Sequence, residues 1–479
     1  MRFAPLFLAG WCAFLFLYGV AAGPLYRTES LRAIIGRECL HGHWLYPVLY
    51  GEPFLTKPPG HYAAIGLCGL PFGDVSAASA RLPSVLAATL AVVLMYGMFR
   101  RVLGERAGLL VAVLLPCSVL WLDKVPSAEI DMTLVGWVTA AVVLFHRALE
   151  SESRAEGPAL GFWIGALLCV AGGTLTKWTA PAFFYLTAIP LLAWRGQLAL
   201  LFGRRHLVAV GVAVGACALW ALAAVQQVGS DALTETLRKE VAYRFAPKAS
   251  KGYPWSELAT YPLAVLAAHL PVSAFALLTF RRSFRERFDE RGKLLLQLLH
   301  CWTWPNLVFW TLVPNHNVRY ALPLSAGLMG LGVMGLIGLL KKPLFSAPSP
   351  GGGGREEGLP RTRLVVAFLL CWVVAKVVFV EVVVPNRTAG RNAGATGAEL
   401  RARVPDDQPL YVFKLKDEGV TFYYARPVVR RSDPQSLPDR SCALLIRQEW
   451  EDRAAFGPLE LLCCMHDQQG DPIYLVRKP

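Results

Sequence analysis

Residues 80–101 read ARLPSVLAATLAVVLMYGMFRR. From Ala80 to Phe99 the only charged residue is Arg81, near the start, and the run closes on Arg100 and Arg101. A helix needs roughly 20 mostly apolar residues to cross the hydrocarbon core of a bilayer. Lys and Arg gather in the short loops on the cytoplasmic side. This stretch therefore predicts a membrane-spanning helix with Arg100 and Arg101 at its cytoplasmic end.

Ten further runs of the same kind flank it, at 4–23, 107–122, 130–148, 158–176, 179–194, 206–226, 256–280, 294–313, 319–340 and 363–384. The first follows Arg2 and looks like a signal peptide, but it is long for one and is followed by many similar runs, so it reads as an uncleaved helix. Residues 61–73 are apolar but too short to span, which suits a helix at the interface or re-entering the protein. Composition agrees: of 479 residues, 54% are hydrophobic and 17% charged, against about 25% charged in ordinary soluble domains. The fold expected is a mainly α, polytopic membrane bundle of about eleven spans.

The basic residues fix its orientation. Arg106, Arg195, Arg204, Arg205, the cluster from Arg281 to Lys293, Lys341 and Lys342 join Arg100 and Arg101 on one side if there are eleven spans. The N-terminus is then cytoplasmic and the C-terminal tail outside. The net charge of +14 largely reflects this bias. Nucleic-acid binding would want the charge clustered on a soluble domain, and it is not. The sequence suits a bacterial inner membrane. Pro350 and Gly351 to Gly354 read as a flexible cytoplasmic linker.

Residues 1–384 form the expected membrane domain, with a first external loop at 24–79, and 385–479 a small extracytoplasmic α/β domain. In the tail, 409–415, 420–424, 442–447, 459–464 and 472–477 read as strands and 397–404 as a helix. The eleven cysteines show no metal-ligand spacing. Cys442, Cys463 and Cys464 could form a disulfide. No metal cluster and no nucleotide-binding motif is visible, which leaves open a divalent ion beside a lipid phosphate.

Chemistry concentrates in the first loop. Thr28-Glu29 follows the first helix, Lys57-Pro58-Pro59-Gly60 precedes the short apolar stretch, and Arg81 heads the second span. An acid and several cations at a membrane surface suit a lipid-phosphate substrate: the cations stabilise a phosphate leaving group and the acid accepts a proton. Each residue also has a plainer reading. Thr28 and Glu29 could cap a helix, Asp131 could cap the fourth span, and Lys57 and Lys177 could snorkel. Arg81 could anchor the interface, and Arg244 and Arg319 could be solvated. His43 and His269 read as packing residues rather than ligands, and His61, beside the Pro-Pro turn, stands apart from them. Lys376, inside the last span, could pair with Glu381.

In order along the chain stand Gly42-His43-Trp44-Leu45-Tyr46-Pro47, Gly51-Glu52-Pro53, Lys57-Pro58-Pro59 and Ala80-Arg81-Leu82-Pro83-Ser84. Weaker matches follow at Glu129-Ile130-Asp131-Met132, Thr176-Lys177-Trp178, Tyr243-Arg244-Phe245, Asn317 to Pro323 and Val420 to Arg426. This pattern resembles the GT-C superfamily of polyprenyl-phosphate-sugar-dependent glycosyltransferases, above all the aminoarabinose transferases of lipid A and the protein O-mannosyltransferases. The resemblance implies transfer of a sugar from a polyprenyl-phosphate carrier to a hydroxyl acceptor (lipid, glycan or protein) on the outer face, with inversion at the anomeric carbon. It implies Glu29 or Asp131 as the catalytic acid residue. Thr28, Lys57, Arg81, Lys177, Arg244, Arg319 and Tyr320 would bind substrate. Where the family carries Asp-Glu, this chain carries Thr28-Glu29. A catalytically silent homologue that binds lipid-linked sugar, or a lipid-linked-sugar transporter, are the alternatives.

Overall fold

A computed structural model describes the chain except residues 1–3, 153–157, 232–233, 236–237, 240–254, 315–316, 340–358 and 416, and gives only the backbone of 359–365. The predicted Arg244 and the glycine linker lie outside the described residues.

All eleven apolar runs are helical over most of their length. Ala77–Leu103 is the longest of these helices, at 27 residues, or about 40 Å at 1.5 Å per residue. Ser76 and Ser79 start it reciprocally: Ser79 N–H donates to Ser76 Oγ at 3.1 Å and Ser76 N–H to Ser79 Oγ at 2.8 Å, satisfying amides that a helix start otherwise leaves orphaned. Five described segments are long and apolar enough to cross a membrane alone: Ala77–Leu103, Ile130–Glu152, Arg204–Val228, Val318–Leu339 and Val366–Thr388. Ala4–Leu17, Ala159–Thr174 and Ala180–Trp194 are apolar but shorter. Leu219 and Leu222 on Arg204–Val228 are 71% and 62% exposed, as side chains are that face lipid rather than water. The chain is an integral membrane protein.

Two predicted spans are broken. Residues 107–122 form Glu105–Leu114 and a separate short helix, Val119–Lys124. Pro116 has no N–H with which to extend the first piece, and Ser118 caps the second through Trp121 N–H at 3.2 Å. Residues 256–280 bend by 107° between Glu257–Ala268 and Val272–Phe280, at Pro271. The second arm lies close on the helix Ser325–Leu339, where a Cβ at Gly335 would come 2.0 Å from the Phe275 carbonyl oxygen. Only glycine permits that approach. The Lys376–Glu381 pair does not form: Glu381 Oε1 accepts from the Tyr18 hydroxyl at 2.6 Å, and buried Lys376 Nζ has no hydrogen-bond partner among the described residues.

The first loop folds into the helix Thr28–Leu40, a two-stranded hairpin and the short helix Gly60–Gly69. The hairpin strands are β1 (Val48–Leu49) and β2 (Glu52–Pro53), joined by Tyr50 and Gly51 with φ of 56° and 82°. Positive φ at both central residues matches the twist of a two-residue hairpin.

The tail holds one mixed sheet of strands β3 (Leu410–Val412), β4 (Val428–Arg430), β5 (Cys442–Ile446), β6 (Glu460–His466) and β7 (Pro472–Arg477), in the order β4-β3-β5-β7-β6. β3 runs parallel to β4 and β5, and β7 antiparallel to β5 and β6. The predicted strand 420–424 is instead the helix Glu418–Tyr424. Its start is capped by Asp417, which accepts from Gly419 N–H at 2.9 Å, and a left-handed Ala425 ends it. The β-forming run Val420 to Tyr424 is overruled by packing: Phe422 stacks under the Arg37 guanidinium at 4.6 Å. β4 falls outside the five strands expected from the sequence. Cys442, Cys463 and Cys464 are free thiols.

This sheet domain and the first loop share one hydrophobic core, in which Ala33, Ile35 and Tyr62 pack with Leu400, Val420 and Tyr424. Tyr423 Oη accepts from Leu25 N–H at 3.1 Å, and the Tyr50 and Thr421 hydroxyls meet at 2.6 Å. The tail thus presses the helix Thr28–Leu40 onto the bundle.

Candidate active site

The helix Thr28–Leu40 starts where the chain leaves the first apolar helix. Arg27, with φ of 51°, precedes it and gives no side-chain cap. Thr28 is the first helical residue rather than the cap, and its hydroxyl donates across the loop to Glu129 Oε1 at 2.7 Å. Glu29 turns the other way. Its Oε1 accepts from Ala128 N–H at 2.8 Å and Arg81 Nε at 3.2 Å, and its Oε2 from Arg81 Nη2 at 3.4 Å. Arg81 also donates from Nη1 to the Val20 and Ala22 carbonyls, both at 2.9 Å, and from Nη2 to Pro24 O at 3.4 Å. A guanidinium has five N–H donors, and all five are committed here.

Glu129 and Asp131 straddle the start of the helix Ile130–Glu152. Arg32, one turn beyond Thr28, pairs with Glu129 Oε2. Arg319 bridges both acids, with Nη1 3.3 Å from Glu129 Oε2 and Nε 3.7 Å from Asp131 Oδ2. Lys177 Nζ donates to Asp131 Oδ1 at 2.5 Å and lies 4.4 Å from the centre of the Tyr320 ring. Asn317 sets the start of the Arg319 segment by accepting Arg319 N–H at 3.1 Å. Burial opposes the charge on Glu129, but the Arg32 and Arg319 guanidiniums outweigh it and hold the carboxyl below its ordinary range. His61 lies beneath this junction. Burial, reinforced by Arg32, pushes it down to about 3, so the ring is neutral. Its Nε2 lies 3.3 Å from the Ala128 carbonyl, which can only accept, so that nitrogen carries the proton; Nδ1 accepts from the Thr133 hydroxyl at 2.9 Å.

Beside the junction opens a cavity of about 500 Å³. It is bounded by the end of the first helix, the helix Thr28–Leu40, the 123–129 turn, the start of the Arg319 segment and the end of the last span. Arg27, Arg81, Lys124, Arg319, Arg387 and Arg391 line it, with Glu29, Asp123 and Glu129 as the acids. Six cations against three acids leave an excess of three positive charges. Arg387 Nη1 and Lys124 Nζ share Asp123 at 2.7 and 2.8 Å. Arg391 stacks over Tyr26 at 3.7 Å.

The structure thus brings Thr28, Glu29, Arg81, Asp131, Lys177, Arg319 and Tyr320 into one region. Lys57 stands off the cavity wall. Its turn is tied to the Lys177 turn by Gly60 N–H, which donates to Leu175 O at 2.8 Å; a Cβ at Gly60 would lie 2.7 Å from that oxygen. Sequence reading passes over Arg32, Glu129, Arg387 and Arg391, and also the cavity-lining Arg27, Asp123 and Lys124. Arg32 lies a helical turn from Thr28, a spacing that shows on a helix, and Glu129 stands two residues before Asp131. For Arg387 and Arg391 no sequence signal exists, because only the fold carries the end of the last span to the first loop. Among the described residues no group of three His, Cys, Asp or Glu side chains is placed to hold a metal ion.

The family described as dolichyl-phosphate-mannose-protein mannosyltransferase matches residues 56–224. The chain is 28% identical over 333 residues to the undecaprenyl phosphate-α-4-amino-4-deoxy-L-arabinose arabinosyl transferase of Erwinia tasmaniensis, covering 68% of this chain and 58% of that one. It is 31% identical over 302 residues to the enzyme of the same name from Pseudomonas paraeruginosa, covering 61% and 52%. The chain therefore spans little more than half the length of these curated relatives. Among solved structures, ArnT from Cupriavidus metallidurans bound to undecaprenyl phosphate superposes with a TM-score of 0.76 at 17% identity, over 99% of this chain and 98% of that one. The archaeal oligosaccharyltransferase AglB from Archaeoglobus fulgidus, in complex with an inhibitory peptide and a dolichol-phosphate, gives 0.51 at 13% identity, over 90% and 65%.

Proposed function

We propose that this chain, with its GT-C superfamily fold, is a membrane glycosyltransferase that moves a sugar from a polyprenyl-phosphate carrier to a hydroxyl acceptor at the extracytoplasmic face of a bacterial plasma membrane. The observation that carries this reading is the cavity with its excess of three positive charges, opening beside a buried acid that two guanidiniums keep ionised. Arg319, with Arg387 and Arg391 on the same cavity wall, is the cation proposed to receive the carrier phosphate, while Lys177, flanked by Tyr320, supports Arg319 through Asp131. Fixed cations stabilise the charge that develops on the phosphate as the bond to the sugar breaks, and such preorganised donors are worth about 10²–10³ in rate.

Glu129 is the proposed acceptor of the hydroxyl proton. Its carboxylate has about four lone-pair sites; the three donors Thr28, Arg32 and Arg319 leave one, on Oε1. The acceptor oxygen attacks C1 of the sugar, its proton passes to Glu129, and the C1–O bond breaks with its electron pair going to the phosphate. Attack opposite the phosphate inverts C1. Asp131 holds Lys177 and Arg319 in position. Glu29 and Arg81 position the loop, since Arg81 has no donor left for a phosphate.

The test uses protein in lipid nanodiscs with undecaprenyl-phosphate sugars, following release of the carrier. Glu129→Gln should lower turnover about 10²–10⁴-fold, the usual size of general-base help, while carrier binding survives. Glu29→Gln should cost less in turnover and more in thermal stability. The reverse pattern would return the base to Glu29. Absence of carrier binding in the wild type would overturn the reading as a whole.

A further inference from the structure

A second cavity lies at the opposite end of the bundle, against the helix Glu290–Leu312. That helix has 23 residues, about 35 Å at 1.5 Å per residue. Its Leu312 end approaches the Arg319 segment, and its middle turns, from Leu296 to Pro305, line the second cavity, of about 340 Å³. The walls are aromatic. Phe280 lies 5.0 Å from His300 and 5.2 Å from Trp304, and Trp194 lies 6.2 Å from His300, between ring centres. Phe280 and Trp194 are 60% and 47% exposed, so the cleft opens sideways through rings placed where lipid chains run.

The indole, imidazole and hydroxyl on its floor are already satisfied. Trp304 Nε1 donates to His300 Nδ1 at 2.9 Å, His300 Nε2 meets the Thr279 hydroxyl at 3.1 Å, and that hydroxyl donates to Ala276 O at 2.6 Å. An imidazole with both nitrogens engaged offers nothing to a ligand, so the floor takes hydrocarbon. The rim differs. Arg281, Arg282 and Arg285 stand there. Among the described residues only Arg282 has an acidic partner, Glu286 at 3.6 Å, and both of those side chains are largely exposed. The outer cavity sets three acids among its cations; this rim sets three arginines over an apolar slot with one loosely held acid outside it.

We infer that this cleft binds an anionic phospholipid of the cytoplasmic leaflet, with the phosphodiester on Arg281, Arg282 and Arg285 and an acyl chain against Phe280 and Trp304. Basic loops mark this end as cytoplasmic, the leaflet there is the anionic one, and basic pockets between helices on that side suit phospholipid headgroups. The carrier is the poorer occupant, because its phosphate is needed at the far end of the same helix.

Native mass spectrometry of the detergent-purified chain, titrated with phosphatidylglycerol, phosphatidylcholine and undecaprenyl phosphate, tests the site. Phosphatidylglycerol should bind about tenfold more tightly than phosphatidylcholine, and R281Q/R282Q/R285Q should abolish that preference. R204Q/R205Q, on another basic loop, should leave it within about twofold, separating a built site from general surface charge. F280S should weaken phosphatidylglycerol binding with every arginine intact, and it serves as the test if the triple variant fails to fold. Equal loss in both arginine variants, no loss in R281Q/R282Q/R285Q or F280S, or displacement of phosphatidylglycerol by undecaprenyl phosphate at equal concentration would overturn the assignment.

Discussion

Glu129 and Glu418 are both mostly buried carboxylates near the same loop, yet their surroundings push them in opposite directions. Around Glu129, burial is outweighed by Arg32 and Arg319, and the acid stays charged. Around Glu418, in the seam between the tail and the hairpin, burial dominates and neighbouring Asp417 adds to it against a weaker pull from Arg430; the carboxyl is pushed up to about 7. Asp417 is raised too, by burial first, even though it accepts from the Gly419 and Gln468 amides. Depth alone therefore does not decide what an acid does. At the cavity, cations arriving from three separate stretches of chain keep the resting acid charged. At the seam a carboxyl gains a proton within the physiological range.

The sharpest way to break the contrast is to remove a cation from the junction. Arg32→Met leaves Glu129 buried with Arg319 as its remaining cation. Breaking a buried ion pair from one side costs about 3–5 kcal/mol, so a large fall in melting temperature is expected. The pH profile should change as well. A depressed native carboxyl contributes stability that is complete above its unfolded value of 4.5 and is lost as pH falls through its lower native value. In Arg32→Met the native value rises toward 4.5, so that acid loss should shrink and be complete at higher pH. A melting temperature unchanged from wild type at neutral pH would show the pair to be dispensable.

Arg319→Gln should separate chemistry from stability. Arg319 is about a quarter exposed and faces the cavity, so its removal should cost less stability than removal of Arg32. If it also holds the leaving phosphate, turnover with an undecaprenyl-phosphate sugar should fall about 10²–10³-fold. Loss of stability without loss of turnover would make Arg319 a strut like Arg81.

Much of this junction is legible in the amino-acid sequence. The apolar runs locate the helices, and the ordered motifs from Gly42 to Ser84 together with Asp131, Lys177 and Arg319 mark residues that the fold does collect. The roles within the motif are harder to read. Glu29 stands out as the acid beside the membrane, but the sequence cannot show that Arg81 and Ala128 N–H occupy it. Nor can it show that Glu129 is the acid gathering Thr28, Arg32 and Arg319. The run from Val420 to Tyr424 has strand propensity, and only its packing on Arg37 and the cap at Asp417 make it a helix. Pro116 and Pro271 are visible as breakers, but apolar runs spanning both hide the two bends.

The smallest effect belongs to the seam, and it tests the other half of the contrast. A carboxyl whose native value is raised contributes stability that is complete below its unfolded value, here 4.5, and is lost as pH rises through about 7. Titrating Glu418 therefore loosens the tail where Tyr50 meets Thr421 and where Arg430 N–H donates to Tyr50 O at 3.0 Å. Discounted for the part of the side chain that reaches solvent, the loss is on the order of 1–2 kcal/mol. Glu418→Gln cannot ionise, so its thermal stability should stay level from pH 6 to about 8.5 while the wild type declines. Hydrogen exchange at the helix Glu418–Tyr424 should quicken with pH beyond its intrinsic rise in the wild type alone. A wild type and variant with parallel profiles would mean that Arg430 already neutralises the acid, and the seam would then be governed by the same cation pairing as the cavity.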